Sequence, residues 1–176
     1  MSCECENIDG GITIGCDNNF PGLKAFYLTE RCNITFPLTL SSPGDEISGI
    51  TMIGGALFYK FEFTKKSGSN YTEETTNSDN GAEFTKQVIT LNFNRREKTK
   101  RDTLMLLGKF KDLVGIGTDN NDVNWLFGEL NGINLTSNTG GSGENSAGKN
   151  GYAVVLSGEE QSPANTVTDA ALAAVI

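Results

Sequence analysis

Apolar and polar residues alternate with a period of two over short runs of this chain, and turn signals separate the runs. Asp9-Gly10, Asn80-Gly81, Asn131-Gly132 and Asn150-Gly151 are pairs that favour positive φ and tight reversals. Between them, Leu23 to Thr29 follows Pro21-Gly22 and reads as a first strand. Ala56 to Thr64 places Leu57, Tyr59, Phe61 and Phe63 on one face, opposite the mostly polar set Phe58, Lys60, Glu62 and Thr64. Tyr71 to Thr76 and Phe84 to Phe93 flank a polar loop, and Ile89, Leu91 and Phe93 mark one side of the longer run as buried. Leu113 to Thr118 and Val123 to Glu129 form a hairpin across Asp119-Asn120-Asn121-Asp122. Ile133 to Thr136 and Tyr152 to Gly158 supply further strands. The pattern predicts a mainly β fold, a β-sandwich or split β-barrel of about eight or nine strands.

One segment changes period. Thr103, Leu104, Leu107 and Phe110 recur at helical spacing, and the pattern predicts one flanking α-helix over about 95–108. Asn94 is the expected cap, with Glu97 reaching back in a capping box, and Gly108 the expected stop. A lone amphipathic helix must cover a sheet face or a barrel mouth. Segments 66–82 and 137–149 are rich in Gly, Ser, Asn and Thr and read as loops. The organisation expected is an N-terminal arm over 1–20, a single β-rich domain over 21–160, and a C-terminal docking tail over 161–176.

Composition agrees with a folded chain that has a modest core. Its 176 residues suit one domain, its apolar fraction is 37%, and it holds 21 Gly beside 10 Phe, 4 Tyr and one Trp. No run approaches the roughly 20 apolar residues of a membrane span. Met1 to Glu6 is acidic and has no apolar stretch of a secretory signal, so no membrane partner is expected. Net charge is −8 and the pI is near 4.6, the opposite of what a nucleic-acid-gripping surface needs. An acidic surface repels the polyanion and suits a wall along which DNA slides. The basic cluster Arg95, Arg96, Lys98, Lys100 and Arg101 reads as the solvated face of the predicted helix.

Catalytic chemistry finds little footing. There is no histidine, which removes the commonest general base and metal ligand. Glu62 and Glu129 are the carboxylates nearest to apolar strands, and solvated strand faces account for both. Gly143 to Asn150 matches the phosphate-loop pattern G-x-x-x-x-G-K, but Asn150 stands where a Ser or Thr belongs. A strand, not a helix, is expected after it. Asp119 to Asp122 lacks the glycine and distant glutamate of a calcium loop and reads as a hairpin turn. Cys3, Cys5, Cys16 and Cys32 lack paired Cys-x-x-Cys knuckles and are expected as free thiols. No catalytic, cofactor-binding or metal-binding residue is assigned, and no cofactor is expected.

The order of these features resembles the tail tube (major tail) proteins of tailed bacteriophages, in particular those of phages infecting Bacteroidetes-type hosts. The likeness runs from the Cys5 to Asn19 segment through Gly22-Leu23-Lys24, Phe58 to Phe63 and Tyr71-Thr72-Glu73-Glu74. It continues with Asn80-Gly81 leading to Gln87 to Leu91, the Lys/Arg-rich helix, Trp125 to Gly132, and Asn150 to Glu160. That resemblance implies a non-enzymatic virion protein whose 21–160 region is a tail-tube-like domain. It further implies self-assembly into stacked, hexameric rings that form the tube for DNA ejection, with other phage tail proteins as partners and DNA as transient lumen cargo. The expected location is the virion tail, assembled in the host cytoplasm. Ring closure would satisfy sheet edges that otherwise template aggregation. The alternatives are another virion ring or decoration protein (head–tail connector, tail barrel, capsid decoration), or a β-sandwich surface or carbohydrate-binding module.

Overall fold

A computed structural model describes residues 12, 19–41, 46–64, 67–77, 82–143, 148 and 150–176. The described residues form eleven strands in two sheets, with two helices. The large sheet is built from β1 (Leu23–Glu30), β2 (Ile34–Leu40), β3 (Ile47–Met52), β4 (Tyr59–Phe61), β7 (Leu113–Asp119), β8 (Asn124–Phe127) and β11 (Asn165–Val167). Its order is β2-β3-β11-β8-β7-β1-β4. The small sheet, β5-β6-β10-β9, contains β5 (Asn70–Asn77), β6 (Glu83–Asn94), β10 (Gly151–Glu160) and β9 (Asn134–Gly141). Neither closes into a barrel. The fold is mainly β and sandwich-like, as the alternation of apolar positions predicts.

The two sheets pack face to face over one apolar cluster. Phe26 and Leu28 of β1 and Phe127 of β8 meet Ile89, Leu91 and Phe93 of β6 and Val154 and Leu156 of β10. Their alternation on β6 is the period-2 signal of a half-buried strand. A second cluster lies on the opposite face of the large sheet, where Tyr27, Val114, Ile116 and Leu126 meet Ile34, Ile47, Leu172 and Val175. The centre of the large sheet is thus buried on both faces, which is why β1 and β7 are buried along most of their length. Gly115 and Gly117 on β7 make room for this: a Cβ on Gly115 would lie 2.5 Å from the Phe26 ring.

Details of the elements go beyond the sequence pattern. The flanking helix expected over about 95–108 is α1, Lys98–Leu107, ending at Gly108 as expected; its cap is Glu97 rather than Asn94, without a side-chain hydrogen bond. Asn94 stays in the β6 ladder and donates its side-chain amide to Thr64 Oγ1 at 2.7 Å, and Arg95 at φ 64° breaks the chain before the helix starts. Within 56–64 only Tyr59–Phe61 is strand; Phe58 is buried in the second cluster while Tyr59 is 71% exposed. The 161–176 segment, expected as a docking tail, forms β11 and α2. β11 fills the large sheet between β8 and β3, and α2 (Asp169–Ala173) packs Ala171, Leu172 and the following Val175 into the second cluster. The count rises to eleven strands because β2, β3 and β11 lack a strong alternating pattern. Pro37 within β2 is tolerated because β2 is an edge strand. Most of the 1–20 arm lies outside the described residues.

Candidate functional site

Three features of the described residues bear on function: the outer face and edges of the small sheet, the polar ties that hold that sheet, and a cleft beside α1.

The strand pairs set which residues share the outer face of the small sheet. Thr72 faces Val88, Glu74 faces Lys86, and Val88 and Thr90 face Ser157 and Val155. Ser137 and Thr139 of β9 continue the row opposite Val155 and Ala153. Val88, Thr90, Ala153 and Val155 are partly exposed and belong to neither apolar cluster. Apart from Phe84, opposite Thr76, the face is mostly small, β-branched and hydroxyl-rich, with Glu74, Lys86 and Glu159 as its charges. Lys86 sits between Glu74 and Glu159 across the two neighbouring strands, so cation and carboxylates lie side by side. Among the described residues β5 and β9 have no partner on their outer edges. All of β9 but Leu135 is exposed.

Buried polar groups tie this sheet to the large one. Gln87, 1% exposed, accepts the Gly128 N–H at 3.0 Å and donates to Glu73 Oε1 at 3.1 Å. The same Glu73 oxygen accepts the Ala164 N–H at 2.7 Å. Glu160, also buried, accepts the N–H groups of Leu130 and Asn131 at 3.1 and 2.9 Å. Tyr71 packs its ring 5.0 Å from Phe127 and 6.2 Å from Trp125. Burial first, and the nearby Asp119 and Glu73 carboxylates second, push its phenol up to about 12. Neither Gln87 nor Glu160 is singled out by the sequence motifs. Both occupy inward positions of strands, and a polar residue breaking an apolar alternation was the available signal.

The cleft, of about 700 Å³, lies between α1 and β4. Its floor is apolar, with Phe61, Phe93, Leu104 and Leu107, and Tyr59 and Leu106 stand exposed at its lip. Lys60 and Glu62 pair at 2.9 Å on its rim.

The residues weighed from the sequence are scattered. Glu62 is exposed, and the hydrogen bond and charge of Lys60 hold its carboxyl below the usual range. Glu129 accepts from the Asn165 side chain at 2.9 Å. Of the basic cluster, Arg95 and Lys100 pair with Glu97, at 3.1 and 3.6 Å, Lys98 with Asp102 at 2.7 Å, and Arg96 lies over the Tyr152 ring. Asp119 Oδ1 accepts the N–H groups of Asn121 and Val123, so this carboxylate builds the hairpin turn. Most of the Gly143 to Asn150 loop lies outside the described residues, and β10 follows it as a strand. Cys3, Cys5 and Cys16 also lie outside them. Cys32 is an exposed free thiol whose pKa is raised by desolvation and by the Glu30 carboxylate. Among the described residues no group of three or more His, Cys, Asp or Glu is placed to hold a metal ion, and no helix is long and apolar enough to cross a membrane.

No protein-family model matches the chain, and comparison with curated proteins and with solved structures returns no match.

Proposed function

We propose that this chain is a structural subunit that closes into rings through the edges of its small sheet, and that the rings stack as the tail tube of a tailed bacteriophage. In this reading β9 of one copy pairs with β5 of the next, and the outer face of the four-stranded sheet lines the hole. The observation that carries it is the combination found in that sheet: two edges unpartnered among the described residues, flanking a hydroxyl-rich face outside both apolar clusters. Unpartnered edges are a liability in a monomer and are removed by closure. A wall whose one lysine is flanked by Glu74 and Glu159 gives DNA phosphates little cationic hold, so transient cargo passes without sticking. The net charge of −8 acts in the same sense. The role is structural, with further copies and other tail proteins as partners and the virion tail as its location.

Negative-stain electron microscopy of the purified protein tests this. Rings or tubes with a central hole are expected. A protein that stays monomeric at high concentration, and also when mixed with virion partners, would overturn the reading.

A further inference from the structure

The cleft between α1 and β4 has the shape of a missing strand. Four consecutive residues, Tyr59, Lys60, Phe61 and Glu62, line it. Side chains of a strand alternate between faces, so a cavity touched by four in a row runs along the strand's edge. β4 is the terminal strand of the large sheet, and its outer edge is unpartnered among the described residues. The opposite wall is α1, which presents Leu106 and, just beyond the helix, Phe110. An extended segment laid there would add to the sheet and place alternate side chains beneath the helix.

The chain offers one segment of matching chemistry. Gly11-Ile12-Thr13-Ile14-Gly15 is uncharged, with apolar residues at alternate positions. Ile12 is 102% exposed in the single copy, so its own body does not cover it. The point of departure is also defined. The Phe20 N–H donates to Asn121 Oδ1 at 2.9 Å, and the Asn121 side chain donates to Asn19 Oδ1 at 3.0 Å. The arm therefore leaves at the β7–β8 turn, where β1 begins. The cleft extends to Leu28, Glu30 and Leu113, the other end of the same two strands. Donor and acceptor sit at opposite ends of one sheet, the arrangement of a head-to-tail contact that propagates.

We infer that residues 11–15 of one copy add as a strand along β4 of the next copy, with Ile12 and Ile14 under α1, and that this contact joins successive rings. The inference rests on the tube-subunit reading and specifies its stacking contact. It is tested on the full chain carrying a photo-crosslinking benzoylphenylalanine in place of Ile14, prepared in isotopically heavy and light forms and mixed before assembly. Crosslinks from position 14 to residues 59–62 or 103–110, joining heavy to light copies, are expected. Crosslinks confined to single copies, or directed elsewhere, would overturn it. In parallel, the Ile12→Asp, Ile14→Asp double variant is expected to keep the melting temperature of the monomer and to form rings, with at least a tenfold loss of pelletable tubes. Tubes at the unaltered level would overturn the inference while leaving the ring reading intact. If the unaltered protein forms no rings, the ring reading falls and the inference with it.

Discussion

Replacing Gln87 by leucine tests how the small sheet is held to the large one. The two side chains are close in volume, so the change adds little cavity cost. Two hydrogen bonds are lost. Glu73 keeps its bond from the Ala164 N–H, whereas the Gly128 N–H loses the acceptor found in Gln87. Gly128 is itself buried. A buried, unpaired backbone donor costs about 1–3 kcal/mol. With a urea dependence of about 2 kcal/mol/M for a chain of this size, the unfolding midpoint should fall by about 0.5–1.5 M at unchanged slope. The readout is internal, because Trp125 is the single tryptophan and sits on β8 beside Tyr71. Lys86→Ala, at an exposed neighbouring position, serves as the control and should leave the midpoint in place. A Gln87→Leu midpoint lowered by less than about 0.3 M, or raised, would refute this account.

Other perturbations follow from the same geometry. Glu160→Ala leaves the N–H groups of Leu130 and Asn131 without their carboxylate and should cost about 1–3 kcal/mol in urea titration, with Glu160→Gln retaining part of that stability. Tyr71 should ionise near 12 in an absorbance titration, above its ordinary 10.0. Because its folded value is raised, the stability it confers is fully present below pH 10 and is lost as pH rises towards 12. Tyr71→Phe should flatten that alkaline decline, and an unchanged decline would refute the assignment. Ser137→Lys with Thr139→Lys places like charges on β9, an exposed edge strand. Assembly measured by sedimentation should be abolished while the circular dichroism melting curve stays unchanged.

The half-buried strands were the legible part of this fold. In β6 and β10 one face is packed and the other is not, so the sequence carries a clean period of two. Where both faces are covered the alternation fails as a guide, and Phe58 is the clearest example: it was placed on the polar side of its run, yet Val175 and its neighbours cover it. The docking tail expected over 161–176 carries no signal of its target. Nothing in its spacing says that α2 docks on β3 of the same molecule. The helix was found by its stripe, and Leu104 and Leu107 are indeed its buried residues. Its start was misplaced because Arg95 adopts positive φ, which no pattern of apolar residues records. The edge strands of the small sheet are legible only as turn-rich, polar sequence. That β5 and β9 are the two edges of one sheet depends on topology, since they are joined through β6 and β10.

The most direct measurement is a cryo-electron microscopy map of particles formed by the purified chain, at a resolution that traces strands. The account predicts a closed ring in which β9 of each copy lies beside β5 of its neighbour, with Val88, Thr90 and Val155 facing the hole. Isolated monomers, or a ring whose hole is lined by the large sheet, would contradict it.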